Sequence, residues 1–272
     1  MTGRAGHNLE AYIEAFMRNE ARLGQFRLNK ASTSSLLLVI GGYVVKLVEP
    51  RLIESVLTSQ KRSSIKDFVW HETMAMRRAG HVLNRHRQCM VPTCESTMNA
   101  GILLRRVGVG SHDASVLSGL GLCTRLFPGE PLGYYAPGMD RYVYNLTCLE
   151  RCDPAKVRLM ISELCQGVMS MNQDGVFHND LAPQNLLVGR SSAGHCCIAV
   201  IDFGAAYIAN DVTWEQPAVG FIDRWYACML SRPGMELRRD RPALAELGLS
   251  KDMSDLARHA KAIKAFAVRR QE

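Results

Sequence analysis

Three side chains with oxygen atoms that could take part in a reaction stand close together in the stretch 176–206. Asp180 and Asn185 are five residues apart, and Asp202 follows an apolar run a short distance downstream. The aspartate carboxylates can take up a proton from a reacting group, whereas aspartate and asparagine side chains can also simply cap turns. Two such turns at this spacing make the capping explanation the weaker one, so this stretch is the candidate reaction centre.

The motifs around these residues resemble those of the protein-kinase superfamily. The chain has His178-Asn179-Asp180 where that superfamily has H-R-D, Asn185 at the catalytic-loop spacing, and an unaltered D-F-G that starts at Asp202. The resemblance implies phosphoryl transfer from ATP with Mg²⁺, which depends on positioning and on charge neutralisation at the phosphate oxygens. It implies that Asp180 takes the proton of the attacking hydroxyl and that Asn185 and Asp202 bind Mg²⁺.

The same resemblance implies a lysine on a strand and a glutamate on the following helix. Lys46 lies in the strand-like run Y-V-V-K-L-V, and Glu72 is the acidic residue in the middle of the next predicted helix. The pair would hold Lys46 against the nucleotide phosphates. A solvated strand lysine and a surface-helix glutamate remain the alternatives, and Asp67 competes with Glu72 but looks like a helix cap.

Two further segments resemble known parts of the superfamily. The segment L-C-T-R-L-F-P-G-E resembles the last strand of the N-terminal lobe running into the hinge. By this resemblance Thr124 is the gatekeeper, and Arg125, Leu126 and Phe127 present backbone groups to adenine. The segment F-I-D-R-W-Y-A-C resembles the helix whose buried aspartate braces the catalytic loop, which assigns that role to Asp223.

The chain departs from the superfamily pattern at three points. It has L-N-K-A-S-T-S-S where a glycine-rich loop would stand, and Asn179 replaces the arginine of H-R-D. The stretch between Asp202 and Asp223 is short and contains no A-P-E, so the usual platform for a peptide substrate is reduced. This pattern resembles compact atypical kinases: those of bacterial effectors and large DNA viruses, and the small archaeal and eukaryotic ones.

Periodicity and turn residues predict the elements that would position these side chains. Two β-prone runs, 34–39 and 43–48, meet at Gly41-Gly42, which predicts a hairpin. Helical spacing is found at 67–79 and 253–268, and another helix begins after Asp153-Pro154, a typical N-cap followed by proline.

These elements predict an α+β protein with a β-rich amino-terminal part and a helical carboxyl-terminal part. By the resemblance this is a protein-kinase-like bilobal fold with a β-rich N-lobe and a reduced helical C-lobe. We expect an N-terminal helical extension at 1–25, the N-lobe at 26–127 and the minimal C-lobe at 128–272.

The composition is that of an ordinary globular protein. Of 272 residues, 47% are hydrophobic and 22% are charged, which excludes disordered, collagen-like and low-complexity chains. The longest apolar run is split by Gly41 and Gly42 and is too short to span a bilayer, so we expect no membrane contact. Nine scattered cysteines without zinc-ligand spacing favour reduced thiols. The expected location is cytoplasmic or nuclear, or the host cell if the chain is a viral or effector protein.

The formal net charge of +7 allows an anionic partner without requiring nucleic acid. A basic cluster between Glu72 and Glu95 is either a docking site for an acidic partner or an ordinary solvated surface. Aromatic residues are not interleaved with it, so nucleic-acid binding is weakly supported. We expect a protein substrate that docks outside the reduced activation segment. The cluster consists of Arg77, Arg78, His81, Arg85, His86 and Arg87.

Together these observations predict a compact atypical serine/threonine protein kinase that depends on ATP and Mg²⁺. The first alternative is a small-molecule kinase of the choline or aminoglycoside type, which H-N-D-L also resembles. The short stretch from Phe127 to His178 leaves little room for the extra helices of such enzymes. The second alternative is a pseudokinase that acts as a binding module, which the missing glycine-rich loop suggests.

Overall fold

The computed structural model describes residues 26–29, 35–40, 42–48, 65–95, 102, 105, 121–136, 141–191, 194–209 and 241–269. The described residues fall into two compact units. The first unit contains those that precede Trp70 together with Cys94–Leu126, and the second contains Trp70–Thr93 and those from Phe127 onward. The candidate reaction centre therefore lies wholly in the second unit.

The described residues form three α-helices and twelve strands, several of them very short. The helices are α1 (Ile65–Leu83), α2 (Pro154–Gln173) and α3 (Arg241–Arg269). The strands are β1 (Phe26–Asn29), β2 (Ser35–Ile40), β3 (Tyr43–Val48), β4 (Cys89–Met90), β5 (Gly121–Arg125), β6 (Gly129–Pro131), β7 (Gly133–Ala136), β8 (Arg141–Tyr144), β9 (Val176–Phe177), β10 (Leu186–Arg190), β11 (Cys196–Val200) and β12 (Tyr207–Ile208).

The first unit is built on an antiparallel sheet in the order β1-β2-β3-β5. The predicted hairpin is confirmed, since Ile40 of β2 pairs with Tyr43 of β3. Gly42 in the connection has φ +83°, a left-handed conformation that glycine adopts without the steric cost of a Cβ atom. Lys46 lies in β3, between Leu37 of β2 and Leu122 of β5.

The second unit contains a sheet in the order β4-β11-β10-β6, against which α2 packs. Strand β11 is buried along its whole length, and it pairs antiparallel with β10 and parallel with β4. Helix α2 begins as predicted, because the Asp153 carboxylate accepts a hydrogen bond of 2.7 Å from the Ala155 N–H and Pro154 follows. Its apolar face is buried and contributes Val157, Met160, Ile161, Leu164, Val168 and Met171 to the core.

The expected contiguous N-lobe at 26–127 needs correction, because most of α1 and all of β4 belong to the second unit. Strand β4 pairs with β11, and the His71 ring of α1 donates a hydrogen bond of 2.7 Å to the Ala206 carbonyl. The Phe127 side chain packs against Cys197 and Ala199 of β11. These contacts over long sequence separations place the boundary just before Phe127 and remove Trp70–Thr93 from the first unit.

Two other expectations change in detail. The helix expected at 67–79 extends from Ile65 to Leu83, and the one expected at 253–268 begins at Arg241. The helical extension expected at 1–25 lies outside the described residues. No helix in the described part of the chain combines the length and the apolar character that crossing a bilayer requires.

The expectation that all cysteines are reduced is wrong for one pair, because Cys152 and Cys196 form a disulfide bond. Cys152 immediately precedes α2 and Cys196 opens β11, so packing of this helix on the sheet brings together two residues 44 positions apart. Of the other cysteines that the structure describes, five are free thiols, namely Cys89, Cys123, Cys148, Cys165 and Cys197.

Substitutions at two glycines, Gly133 and Gly80, test how closely β7 approaches β8. A Cβ atom at Gly133 would overlap the Val143 carbonyl oxygen and come within 2.9 Å of the Tyr144 Cα, so Gly133→Ala must push β7 and β8 apart. We expect it to lower the free energy of unfolding by roughly 1–3 kcal/mol. At Gly80 in α1 the added Cβ would meet its nearest neighbour at 3.5 Å, so Gly80→Ala should be neutral or raise that free energy by up to about 1 kcal/mol.

Urea denaturation followed by circular dichroism measures both changes. Equal effects of the two substitutions would contradict the close approach of β7 to β8.

Candidate active site

The loops that carry the candidate residues are held side by side by short strands. Strand β9 precedes His178, and it pairs with β12, which follows the D-F-G segment. The Ile201 N–H donates a hydrogen bond of 3.0 Å to the Asn185 carbonyl. The segments of Asp180, Asn185 and Asp202 are thereby fixed next to one another within the second unit.

The side chain of Asn185 is bonded directly to Asp180. Its Nδ2 donates to the Asp180 backbone oxygen at 2.8 Å and to the Asp180 Oδ2 at 2.9 Å. Because both partners are acceptors, the amide nitrogen must face them, and the amide oxygen is directed to the other side. Asn185 thus orients the carboxylate of Asp180 and keeps its own Oδ1 available as a ligand.

Asp202 occupies a left-handed backbone conformation directly after Ile201. Its φ is +61°, and its Oδ1 accepts a hydrogen bond of 3.4 Å from the Gly204 N–H at the start of a 3₁₀ turn, Phe203–Ala205. Asn179 also has φ +61°, and its Nδ2 donates to the Ala205 carbonyl at 3.3 Å. Asn and Asp tolerate this conformation better than other residues with a Cβ atom, which suits them to these two positions.

His178 is a buried structural residue of the loop. Its Nε2 donates to the Ile201 carbonyl at 3.0 Å, its Nδ1 accepts from the Asp180 N–H at 3.3 Å, and its ring lies 4.5 Å from that of Phe203. Burial lowers the pKa of His178 to about 4, so the ring is neutral at physiological pH. A neutral ring can donate at one nitrogen and accept at the other, as these contacts require.

Asp252 of α3 braces the loop 178–185, which is named the catalytic loop here after the resemblance. Its two carboxylate oxygens accept hydrogen bonds from the backbone N–H groups of His178, at 2.8 Å, and Asn179, at 2.9 Å. The sequence resemblance gave this role to Asp223, which lies outside the described residues. The described contacts give it to Asp252, which is fully buried.

A sequence signal for this brace does exist. The polar residues Asp252, Asp255 and His259 recur at helical spacing among the apolar positions of α3, and all three are buried. A helix face that mixes buried apolar and buried polar residues indicates hydrogen-bonding partners elsewhere in the fold.

Burial and neighbouring charges make Asp180 a weaker acid than an exposed aspartate. The pKa of Asp180 rises to about 6, mainly because burial disfavours its charged form. The Lys251 ammonium lowers this pKa and the Asp202 carboxylate raises it. The carboxyl group is therefore ionised at neutral pH. Its pKa is close enough to neutral pH for it to accept a proton readily, as a general base must.

A buried ion pair, Lys251–Asp255, lies close to the loop. The Lys251 Nζ donates to the Asp255 Oδ2 at 2.7 Å, and the Tyr142 hydroxyl donates to the Asp255 Oδ1 at 3.0 Å. Both side chains of this ion pair are more than nine-tenths buried. The pair couples α3 to β8, the strand that carries Tyr142.

The two residues of the expected phosphate-binding pair lie in different units. Lys46 lies in β3 of the first unit and is partly buried. Glu72 lies in α1 of the second unit and is 1% exposed, so the surface-helix alternative for Glu72 is wrong.

The residues expected to line the adenine site lie at the end of β5. Thr124 pairs with Val44, and the Arg125 guanidinium contacts Glu95 at 3.3 Å. The Leu126 N–H already donates to the Gly42 carbonyl at 2.9 Å, so this donor is used within the first unit. Phe127 is buried in the core of the second unit, where its side chain packs against β11.

The donor set fits Mg²⁺ that is shared with phosphate oxygens. Within the described residues no group of three His, Cys, Asp or Glu side chains could hold a metal ion alone. Mg²⁺ prefers oxygen ligands and is typically bound by one or two carboxylates together with substrate phosphates. The oriented Oδ1 of Asn185 and the partly exposed carboxylate of Asp202 meet this description.

Removing the brace tests the loop architecture. Asp252→Ala leaves two buried N–H groups without acceptors, each at a cost of about 1–3 kcal/mol, whereas Asp252→Asn keeps one acceptor and should cost about half as much. Ser254→Ala changes an exposed residue of the same helix and should leave stability within about 0.5 kcal/mol of the wild type.

Chemical denaturation gives the three free energies of unfolding, and hydrogen exchange at the His178 and Asn179 amides reports on the loop itself. Unchanged protection of these amides in Asp252→Ala would contradict the brace.

The sequence matches parts of several curated protein kinases. It is 30% identical over 99 residues to the MAPK/MAK/MRK overlapping kinase of Mus musculus, a match that covers 34% of this chain and 22% of that protein. It is 27% identical over 108 residues to the serine/threonine-protein kinase DCLK3 of Homo sapiens, covering 34% and 16%. It is 37% identical over 73 residues to the cyclin-dependent kinase F-4 of Oryza sativa subsp. japonica, covering 26% and 14%.

The comparison with solved structures finds kinases as well. The Rio2 kinase–ADP/Mg²⁺–phosphoaspartate complex of Chaetomium thermophilum matches with a TM-score of 0.37 and 11% identity, over 99% of this chain and 80% of that one. The Cydia pomonella granulovirus kinase PK-1 matches with a TM-score of 0.34 and 15% identity, over 73% and 58%. No protein-family profile matches the chain.

The matched segments span less than a quarter of each of the three curated relatives. Within the described residues Asn185 is hydrogen-bonded to Asp180, and Asp202 precedes the 3₁₀ turn of the D-F-G segment. The chain is a protein-kinase-like protein with an α+β fold.

Proposed function

We propose that the chain is a compact atypical protein kinase that transfers the γ-phosphoryl group of ATP to a serine or threonine hydroxyl of a protein substrate. One observation carries this proposal, namely the Asn185 amide that is bonded to both the backbone and the carboxylate of Asp180. In this arrangement one loop supplies both a proton acceptor, the Asp180 carboxylate, and a metal ligand, the Asn185 Oδ1. Phosphoryl transfer needs both at the phosphate.

Asp180 acts on the acceptor hydroxyl. The hydroxyl oxygen forms a bond to the γ-phosphorus, the bond from that phosphorus to the bridging oxygen breaks, and ADP leaves with the bonding electrons. The hydroxyl proton passes to the Asp180 carboxylate, which the Asn185 Nδ2 holds by its Oδ2. Asn185 and Asp202 would hold Mg²⁺, which would neutralise charge on the phosphate oxygens.

The remaining nucleotide contacts are proposed from the resemblance. Lys46 binds the phosphates and Glu72 positions it, while Thr124, Arg125 and Phe127 lie along the adenine. Because the N–H of Leu126 is engaged by Gly42, the adenine contact proposed for Leu126 is through its carbonyl oxygen.

The charges near Asp180 favour a protein acceptor over a cationic small alcohol. A choline- or aminoglycoside-type kinase needs accessible carboxylates beside the base to bind its cationic substrate. Among the described carboxylates near Asp180, Asp202 is the proposed Mg²⁺ ligand, and Asp252 and Asp255 are buried. Asp252 is bound to backbone N–H groups, and Asp255 is bound to Lys251 and Tyr142. A serine/threonine-protein kinase among the matched relatives supports the same choice of acceptor.

The protein substrate would dock outside the short activation segment, and the location would be cytoplasmic, nuclear or in a host cell. The basic cluster on α1 and the following turn is the proposed site for an acidic partner. Within it Arg77, His81, Arg85 and Arg87 are exposed to solvent. This cluster belongs to the second unit, as does the catalytic loop.

Transfer of labelled γ-phosphate tests the proposal. With ATP, Mg²⁺ and a cell lysate as the source of acceptors, wild-type protein should label protein bands, and Asp180→Asn should lower the rate by roughly 10²–10⁴-fold because it removes the proton acceptor. Asp174→Asn makes the same chemical change at an exposed position after α2 and should label like the wild type.

Each other result points to a different function. Label confined to small molecules would replace the protein kinase with a small-molecule kinase. Absence of transfer from the wild type, with nucleotide binding retained, would replace it with a pseudokinase.

The pH dependence follows from the raised pKa of Asp180. Since this pKa is about 6 and the base must be ionised, kcat/KM should be constant above pH 7 and fall about tenfold per pH unit below pH 6. The residual rate of Asp180→Asn should lack this limb. Circular dichroism at each pH confirms that the protein stays folded, and a wild-type rate that is flat between pH 5 and pH 7 would rule out Asp180 as the base.

A further inference from the structure

His259 of α3 lies behind the catalytic loop, next to the residue that follows Asp180. Its side chain is fully buried, and its Nε2 is hydrogen-bonded to the Leu181 carbonyl oxygen. Its Nδ1 is 3.0 Å from the Tyr144 hydroxyl of β8. The ring thus connects three elements of the second unit: α3, β8 and the catalytic loop.

The partners of the two ring nitrogens fix where the proton is. A carbonyl oxygen can only accept, so the bond to Leu181 requires a proton on Nε2. Burial lowers the pKa of His259, so the ring is neutral and its Nδ1 is an acceptor for the Tyr144 hydroxyl. Tyr144 therefore holds the tautomer in which His259 donates to Leu181.

The ring is also held in place by its neighbours. The rings of Tyr142 and Tyr144 lie 5.6 Å and 5.8 Å from it. Tyr142 is in turn bonded to Asp255, which is paired with Lys251, and the Arg258 guanidinium lies 5.7 Å from the centre of the Tyr142 ring. These contacts hold the imidazole with its Nε2 toward the loop.

We propose that His259 is a positioning residue for Asp180, and that Tyr144 acts through it. Asn185 holds the carbonyl oxygen of Asp180, and His259 holds the next carbonyl oxygen along the chain, that of Leu181. Two consecutive peptide groups are thereby fixed at their oxygens, which sets the direction of the Asp180 carboxylate. The proposal rests on the proposed phosphotransferase function.

The test uses two variants that separate hydrogen bonding from packing. Tyr144→Phe keeps the ring and removes the proton given to Nδ1, and His259→Gln keeps a polar side chain but loses the fixed donor. We expect kcat to fall about tenfold in each, because small misplacements of a reacting group are costly, while KM for ATP stays within about twofold. Lys261→Ala, at an exposed position of α3, is the matched control and should retain wild-type kcat.

A double variant and a spectroscopic signature complete the design. If Tyr144 acts only through His259, the double variant should be no slower than His259→Gln alone. The ¹⁵N chemical shifts of the wild-type His259 ring should show a protonated Nε2 and an unprotonated Nδ1, and Tyr144→Phe should change the Nδ1 shift. This second readout does not depend on enzyme activity.

The outcomes distinguish the inference from the function on which it rests. Variants with wild-type kcat, in a protein whose transfer depends on Asp180, overturn the positioning role alone. A wild-type ring protonated on Nδ1 also overturns it. Absence of transfer from the wild type overturns the proposed function and, with it, the role of His259 in catalysis.

Discussion

The two hydrogen bonds from the backbone of His178 and Asn179 to Asp252 are the constraint on which the site depends. Asn179 has a left-handed conformation, which asparagine tolerates better than most residues with a Cβ atom, and its surroundings compensate for the remaining cost. A buried carboxylate that accepts two backbone N–H groups provides this compensation, and the same bonds offset part of its own desolvation. Helix α3 thus holds the backbone of the catalytic loop in place.

Further hydrogen bonds connect the part of the loop held by Asp252 to the other residues of the site. His178 joins the loop to the end of β11 through the Ile201 carbonyl, and Ile201 is bonded back to Asn185. Asn185 then fixes Asp180. The Asp180 N–H is bonded back to the His178 ring, so these hydrogen bonds form a closed network that directs the Asp180 carboxylate before any substrate binds. Such preorganisation is the main contribution a protein can make to phosphoryl transfer.

Local features of this fold could be predicted from sequence, and long-range ones could not. The hairpin at Gly42 and the start of α2 after Asp153 follow from residues that are neighbours in the chain. The brace by Asp252 joins residues more than 70 positions apart, and the disulfide joins Cys152 to Cys196 across 44. Local periodicity carries no information on which distant residue meets the loop, and Asp223, to which the resemblance gave this role, lies outside the described residues.

Stability alone does not explain the polar face of α3. Lys251 and Asp255 form a buried ion pair, and such pairs are commonly no more stabilising than apolar residues of the same volume, because both charges lose their hydration. Asp252 and His259 are buried on the same helix, and each is hydrogen-bonded to the backbone of the catalytic loop. An apolar α3 could pack as well against α2 but could not hold backbone N–H and carbonyl groups in fixed directions. We infer that the polar face is retained because it defines one conformation of the loop that carries Asp180.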